Sequence, residues 1–402
     1  MPAHGASALA TGSRFRPDKL GVVVAAIVVL SLALQPFALV RANRIVPANG
    51  EMIWSALPQG QAWGVIAALL LAAFILFLAV PVRLRLAVSI AALALLAVAV
   101  GRAGTYLTPA DNNYARISPG GSFYLMLFAF SIALADATVR LRLSPLQRVG
   151  FLLLAIAAIG LLLLCGGWSD LSLLKEYHNR AAAFWSEGRT HVALAFGSLA
   201  AAGIVGIPLG IVCFRVSGIR AAILNTLNIV QTIPSMALFG LLIAPLAWIG
   251  THVPGASALG IAGIGFAPAF VALFAYSLLP VVSNTVAGLD GVPLAVRDAA
   301  RGMGMTSRQL LFSIELPLAF PVILTGIRIV LVQNIGLAVI AGLIGGGGYG
   351  TFVFQGISQT ATDLVLLGAM PVVGMAFAAA ILLDAAVELS QSQDRSRKRR
   401  MA

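Results

Sequence analysis

Apolar runs of about 20 residues, the length that a helix needs to cross a bilayer, recur along the whole chain between short polar segments. Of the 402 residues, 60% are hydrophobic and only 10% are charged, a composition that excludes an ordinary soluble domain. The pattern predicts an all-α integral membrane protein with ten transmembrane helices. The predicted spans are 21–40, 63–82, 84–101, 122–138, 149–167, 192–214, 221–249, 258–289, 318–345 and 365–388.

The basic residues predict how these helices are oriented. When the sides of the membrane alternate from a cytoplasmic N-terminus, most of the 26 Lys and Arg residues fall on the cytoplasmic side, as the positive-inside rule requires. The net charge of +12 is then spread over several short loops, which argues against a nucleic-acid-binding face. We expect a multi-pass protein with both termini in the cytoplasm.

The loop 291–317 is the longest internal loop on the predicted cytoplasmic side, and it is rich in structural signals. Its central part reads "DAARGMGMTSRQLLFSIELP". The alanines predict a short helix over 298–304, and Thr306 and Gln309 have the spacing of a capping box that begins a second helix. We expect the second helix to stop at Pro317, before the next span begins.

A folded loop of this kind has two possible roles. Small residues such as Ala299, Ala300, Gly302 and Gly304 would form a low surface that the backbone of a partner can approach, with Met303 and Met305 as adaptable apolar contacts. Alternatively, the loop only connects two spans. The residue types by themselves leave both roles open.

The same loop resembles the EAA motif of ABC importer permeases, the element that docks onto the ATPase subunit. The resemblance rests on the spacing of Asp298, Ala299, Ala300, Gly304, Ile314, Leu316 and Pro317. Asp298 stands where the family usually has a glutamate, so a contact that needs the longer side chain is in question. The resemblance implies that residues 291–317, called the coupling segment below, contact a separate ATPase.

A wider set of motifs resembles the permeases that take up glycine betaine, carnitine and choline. These motifs are "GIPLGI" (206–211), "QTIPSMALFGLL" (231–242), "VALFAYSLLPVVSNTVAGL" (271–289), "ELPLAFPVILTGIRI" (315–329) and "GGGGYGTFVFQGI" (345–357). The resemblance implies a five-helix type I permease core over 191–390, followed by a basic cytoplasmic tail at 391–402. Residues 1–170 resemble, by their layout, the five-helix N-terminal extension of YehY-like permeases.

An outer segment at 171–190 lies between these two parts. Its apolar residues have helical spacing with charges between them, which predicts an amphipathic helix on the membrane surface. A docking surface for an external binding protein is the alternative.

Polar side chains within the spans are candidates for lining a solute pathway, because unsatisfied polar atoms are costly in lipid. The candidates are Gln231, Ser235, Asn284, Gln333 and Asn334. Hydrogen bonds between helices are the simpler explanation for each. Arg328 also lies within a span, where its long side chain can reach toward the cytoplasmic face.

No motif for ATP hydrolysis or for other catalysis is present in the sequence. The chain has three lysines, Lys19, Lys175 and Lys398, and none follows a glycine as the P-loop pattern requires. The run "GGGGYG" lacks the strand context of a nucleotide site, and we expect it to break a helix instead. The four histidines lack the spacing of a zinc site. We expect no bound cofactor, no metal and no enzymatic activity.

The resemblance implies a permease subunit of an ATP-driven importer in the bacterial inner membrane, for glycine betaine or a related osmoprotectant. Its implied partners are ABC ATPase subunits that use ATP and Mg²⁺, a periplasmic or lipid-anchored solute-binding protein, a second permease copy or paralogue, and membrane lipid. Two alternatives remain at this point. One is an ABC permease for another solute, such as an amino acid, and the other is an ion-driven secondary transporter.

Overall fold

The computed structural model describes residues 17–43, 46–112 and 114–401. Residues 1–16 of the predicted N-terminal extension and residue 402 of the predicted tail lie outside the described residues. The chain divides into two compact units. The first contains Met1–Leu143 and Ile159–Leu174, and the second contains Ser144–Ala158 and Lys175–Ala402.

The first unit combines apolar helices with a small antiparallel sheet. Its helices are α1 (Lys19–Leu34), α2 (Ile53–Ala56), α3 (Gln59–Phe77), α4 (Val82–Leu107) and α5 (Gly121–Leu141). The strands β1 (Ala38–Arg41), β2 (Asn49–Glu51) and β3 (Arg116–Pro119) lie in the order β2-β1-β3. Leu39 of β1 is opposite Gly50 on one side and Ser118 on the other. Two further helices contribute residues to both units, α6 (Pro145–Leu164) and α7 (Ser172–Asn179).

The first apolar run forms a helix and then a strand. α1 begins after Asp18, whose carboxylate accepts a hydrogen bond from the Gly21 N–H at 2.9 Å. It ends at Leu34 because Gln35 precedes a proline and is extended, as residues before proline usually are. The predicted span 21–40 is therefore wrong at its end, where apolar residues pair in the sheet instead of continuing the helix.

The second unit is built from longer helices. They are α8 (Ala181–Arg215), α9 (Ser217–Thr232), α10 (Ser235–Leu241), α11 (Ile243–His252), α12 (Phe266–Asp290), α13 (Leu294–Gly302), α14 (Ser307–Leu310), α15 (Leu316–Leu337), α16 (Gly350–Ser358) and α17 (Thr362–Met401). A π-helical turn at Leu311–Glu315 joins α14 to α15, and 3-10 turns occupy Ser257–Leu259 and Ala338–Ile344.

Small residues allow α8 and α12 to pack closely. A Cβ atom added to Gly206 would lie 2.8 Å from Val281, and one added to Gly210 would lie 2.6 Å from the Cβ atom of Thr285. Helices in membranes commonly associate through such close contacts, because burial of apolar surface gains nothing when lipid is the solvent. These two helices and α15 form the centre of the second unit.

Among the described residues, nine helical stretches are long and apolar enough to cross a membrane. They are Gln59–Phe77, Val82–Leu107, Gly121–Leu141, Pro145–Leu164, Ala181–Arg215, Ser235–His252, Phe266–Asp290, Ser307–Ile344 and Thr362–Ser390. The remaining predicted span corresponds to α1, an apolar helix of 16 residues. The all-α membrane fold is confirmed, and the count of ten agrees with these nine stretches plus α1.

The bounds of several predicted elements were wrong. The predicted span 221–249 is interrupted at Ile233 and Pro234, which are extended and separate α9 from α10. Proline at 234 lacks the N–H that a continuous helix would need there.

The outer segment 171–190 is not one helix, because α7 ends at Asn179 and the chain from Ala181 onward belongs to the long helix α8.

Candidate functional site

The first helix of the coupling segment is α13, which lies on the protein surface with one face buried. Arg297 and Ala300 are buried on its inner side, whereas Asp298, Ala299 and Gly302 are exposed. The helix begins at Leu294 and ends at Gly302, so the predicted range 298–304 was displaced. Its two buried residues are three apart, the spacing of one helix face.

A left-handed turn at Gly304 ends α13. The backbone φ of Gly304 is +82°, and its N–H donates to the Arg301 carbonyl at 2.9 Å. The N–H of Met305 donates to the Ala300 carbonyl at 3.2 Å. This pair of bonds is the Schellman motif, in which glycine is favoured because it has no Cβ to clash in the left-handed region.

The next helix starts at the predicted capping box. The Thr306 hydroxyl accepts from the Gln309 N–H at 3.3 Å, and the Gln309 side-chain oxygen accepts from the Thr306 N–H at 2.8 Å. The prediction of a capping box at these two residues is confirmed. Both otherwise unpaired N–H groups at the helix start are thereby satisfied.

Pro317 does not stop this helix, and the prediction that it would was wrong. The chain is helical without a break over Ser307–Ile344. Pro317 lies in the first turn of α15, where proline is tolerated because its missing N–H is not needed by an ordinary α-helical bond. The π-helical turn before it, in which Leu316 donates to the Leu311 carbonyl, carries the chain into α15.

The seven residues of the EAA-like pattern do not share one surface. Asp298, Ala299, Gly304 and Pro317 are exposed, Ile314 and Leu316 are half-buried, and Ala300 is buried. Leu316 packs against a small apolar cluster that contains Leu289 and Ala319. The exposed surface around α13 also contains Leu294 and Met303, which are 70% and 73% exposed. Ala300 is therefore a packing residue, contrary to our expectation of a row of small surface residues.

A second site lies at the break between α9 and α10. A cavity of about 380 Å³ opens there, and it is called the helix-break cavity below. It is lined by Gln231, Thr232, Ile233, Pro234, Ser235, Tyr276, Gln333 and Leu337. The structure thus brings together three of the five polar side chains that were predicted to line a pathway, from residues about a hundred positions apart in the sequence.

Tyr276 is a residue of the cavity that the sequence reasoning missed. Its hydroxyl donates to the Ile233 carbonyl at the helix break, and its own backbone carbonyl accepts from the Gln231 side-chain amide at 2.7 Å. The spacing to Pro280, four residues later, was the available signal. Proline at that position leaves the Tyr276 carbonyl without its helical donor.

The other two predicted pathway residues lie elsewhere. Asn334 is fully buried, and its amide donates to the Ser198 and Ser277 hydroxyls at 2.9 Å each, which links α15 to α8 and α12. The Asn284 amide donates to the Pro280 carbonyl at 2.8 Å within α12. For Asn334 the structure shows the simpler alternative of hydrogen bonds between helices, whereas the bond of Asn284 lies within its own helix.

Arg328 is held by an ion pair. Its guanidinium lies 2.6 Å from Asp384 of α17, and Arg148 of α6 lies 2.6 Å from the same aspartate. Arg148 also pairs with Glu388. The Arg328 side chain therefore ends in an ion pair, and its reach toward the cytoplasmic face stays a prediction.

The glycine run at 345–348 ends the helical stretch, as predicted. Gly345, Gly347 and Gly348 have positive φ angles of 72°, 75° and 83°. The Gly348 N–H donates to the Glu187 carboxylate at 2.6 Å, so the run lies against α8. Within the described part of the chain, no group of three or more His, Cys, Asp and Glu side chains is arranged to hold a metal ion.

Two protein-family models match separate parts of the chain. Residues 18–174 match "ABC transporter permease YehY, N-terminal domain". Residues 204–392 match "Binding-protein-dependent transport system inner membrane component". The second match contains the coupling segment and the helix-break cavity.

Three curated proteins are each similar to a little under half of the chain. The "Osmoprotectant import permease protein OsmW" of Salmonella typhimurium is 43% identical over 193 residues, which cover 48% of this chain and 81% of that protein. The "Choline transport system permease protein OpuBB" of Bacillus subtilis is 36% identical, covering 45% and 76%. The "Glycine betaine/carnitine/choline transport system permease protein OpuCB" of Bacillus subtilis is 37% identical, covering 42% and 70%.

Proposed function

The chain belongs to the osmoprotectant-import family of ABC transporter permeases, with a YehY-type N-terminal domain and a type I importer core, and from that premise we propose its specific role. It forms the pathway for glycine betaine or a related osmoprotectant. It couples to a separate ATPase through the coupling segment. Solute arrives on an external binding protein, and a second permease copy or paralogue completes the pathway.

One observation carries the proposal. The helical stretch Ser307–Ile344 has the coupling segment at one end and Gln333 of the helix-break cavity near the other. A force applied to the coupling segment by an ATPase therefore acts on a helix that lines the cavity. The neighbouring helices α12 and α17 pack against this stretch. Its movement therefore involves the centre of the core.

The surface of the coupling segment supports docking of a protein partner. Ala299, Gly302 and Gly304 are exposed and small, and Met303 extends beside them. Small residues let another backbone approach, and methionine adapts its shape to a partner. The exposed ion pair of Asp298 with Arg301, at 3.6 Å, adds polar groups to the rim of this surface.

The lining of the helix-break cavity supports a solute without net charge. Its polar side chains are amides and hydroxyls, from Gln231, Thr232, Ser235, Tyr276 and Gln333. Neutral donors can bind a carboxylate, and an aromatic ring can contact a quaternary ammonium group by cation–π attraction. Glycine betaine carries both groups. The name of one similar Bacillus subtilis permease includes glycine betaine and carnitine, which both have a quaternary ammonium group and a carboxylate.

Co-purification of an ATPase with the full chain tests the docking role. Gly302→Phe adds bulk to the exposed surface without backbone strain, because nothing lies within 4 Å of a Cβ atom there. We expect this variant to lose the ATPase while it still inserts in the membrane. Gly218→Phe, at an exposed glycine of α9 with equal space around it, is the matched control and should keep the ATPase.

Transport in proteoliposomes tests the solute. The full chain with its ATPase should take up glycine betaine when the loaded binding protein is present outside, and the ATPase should be stimulated. Uptake of methionine but not glycine betaine would assign another solute class to the permease. Uptake driven by an ion gradient without any ATPase would overturn the proposal.

A further inference from the structure

The carboxylate of Glu315 is fully buried and lies between two arginines. One oxygen is 2.6 Å from the Arg215 guanidinium and the other is 3.2 Å from the Arg297 guanidinium. Glu315 is the last residue of the π-helical turn before α15, Arg215 is the last residue of α8, and Arg297 lies in the middle of α13. Three separate elements therefore meet at one carboxylate.

Arg297 extends these connections to a fourth element. Its guanidinium donates to the carbonyl of Leu289, near the end of α12. The guanidinium also lies over the Phe214 ring, 4.9 Å from its centre, and Arg215 lies 5.4 Å from the centre of the same ring. The aromatic ring thus fixes the two arginines by cation–π contacts while Glu315 neutralises charge between them.

We propose that Glu315 is a positioning residue which fixes α13 to the ends of α8, α12 and α15, so that the coupling segment and these helices move as one body. The inference rests on the proposed function, since it concerns how movement of a docked ATPase reaches the core. Glu315 itself is buried and contacts no partner. Its effect on transport acts through the orientation of α13.

The geometry favours this role over one of general packing. Apolar contacts such as that of Leu316 with the cluster around Leu289 tolerate sliding, whereas the charged hydrogen bond from Arg215 to Glu315 at 2.6 Å has a fixed direction. The ion pair of Arg297 with the other carboxylate oxygen, at 3.2 Å, ties α13 to this fixed carboxylate. Removing one member of a buried pair also leaves an uncompensated charge, so the whole cluster must rearrange. Loss of the carboxylate should therefore free α13 to shift relative to the core.

The test compares Glu315→Gln with Asp290→Asn in the full chain, reconstituted with its ATPase and a glycine betaine-loaded binding protein. Gln keeps the size of Glu315 but removes the charge. The control removes a carboxylate from an exposed pair, Asp290 with Arg220 at 2.7 Å, in which the two side chains are 42% and 40% exposed. The readout is solute transported per ATP hydrolysed, alongside the amount of ATPase that co-purifies.

For Glu315→Gln we expect unchanged co-purification but a roughly tenfold fall in solute transported per ATP, a size that residues between coupled sites can produce. A merely structural role would reduce the amount of complex and leave that ratio unchanged. Asp290→Asn should behave like the unmodified chain. An unchanged ratio in Glu315→Gln would overturn the inference.

The two proposals fail in distinguishable ways. If the unmodified chain binds no ATPase, the proposed function falls and the inference falls with it. If the unmodified chain transports normally and Glu315→Gln transports the same amount of solute per ATP, the inference alone falls. If Glu315→Gln does not assemble, the solute transported per ATP is measured for Arg215→Gln instead. The Arg215 side chain is 33% exposed, so its replacement should destabilise the protein less.

Discussion

The side-chain amide of Gln231 donates to the backbone carbonyl of Tyr276 at 2.7 Å. That carbonyl would accept from residue 280 in a regular helix, but Pro280 has no N–H. A side chain of α9 therefore satisfies a backbone group that a proline leaves unpaired in α12. The bond also holds the rim of the helix-break cavity in place.

Replacing Gln231 with Leu should destabilise the protein by about 1–3 kcal/mol, the usual cost of a buried acceptor left without a donor. Thermal unfolding in mild detergent measures the change. Pro280→Ala supplies an N–H to the Tyr276 carbonyl, so Gln231→Leu should cost less in that background. Additive effects of the two substitutions would contradict this account of the bond.

The adjacent residues Gln333 and Asn334 should have different mutant phenotypes. Gln333→Ala removes a lining side chain and should raise the KM for transport roughly tenfold, equivalent to about 1.4 kcal/mol, with unfolding unchanged. Asn334→Ala removes the buried bonds to Ser198 and Ser277 and should lower stability by about 0.6–2 kcal/mol. Transport kinetics and unfolding of the same two samples separate the effects, and identical phenotypes would contradict the assignment.

The left-handed backbone at Gly304 predicts a cost for any Cβ atom there. Gly304→Ala should lower stability by about 1–2 kcal/mol, because the added methyl group clashes in this region. Gly304→Asn should cost less, since asparagine tolerates the conformation. Gly302→Ala, two residues earlier in the helix, should be neutral or stabilising. Denaturant unfolding of the three variants measures the order of their stabilities. A Gly304→Ala variant as stable as Gly302→Ala would show that the backbone at 304 is not strained.

Asp18 predicts how the stability of the first unit depends on pH. A hydrogen bond from Arg85 is the main cause that holds the pKa of Asp18 below its ordinary value of 3.8; burial opposes this, and the Gly21 N–H adds to it. Because the pKa is lower in the folded state, ionised Asp18 stabilises the fold above about pH 4. This contribution is lost as the pH falls through the folded-state pKa.

Unfolding midpoints between pH 7 and pH 3 test this dependence. Asp18→Asn should be less stable than the unmodified chain at pH 7, and the difference should shrink toward the acid end. Asp111→Asn, at an exposed carboxylate of a loop, serves as the control. A constant difference across the whole range would show that ionisation of Asp18 does not matter.

The sequence predicts the membrane fold and part of the site for clear reasons. Hydropathy identifies spans because lipid demands apolar side chains over the whole length of a helix. The capping box is readable at Thr306 and Gln309 because its two partners are three residues apart. Gln231 and Ser235 could be selected because they are polar residues within a predicted span, where unsatisfied polar atoms are costly.

Other features depend on contacts that no local pattern contains. Glu315 lies between Arg215 and Arg297, and the first of these is a hundred residues earlier in the chain. The first three residues of the strand β1 are apolar like the helix before it, so hydropathy alone extended that helix too far. Ala300 was expected on the surface because its residue type is small, but the face of α13 on which it lies is buried.

The π-helical turn at Leu311–Glu315 contains one more residue than an α-helical turn of the same rise. Each residue turns an α-helix by about 100°, so regular α-helical geometry over all five of these residues would rotate everything before them by about that angle relative to α15. The face of α13 presented to a partner is thus set by a residue count. The spacing between Gly304 and Pro317 is as much a part of the site as the side chains themselves.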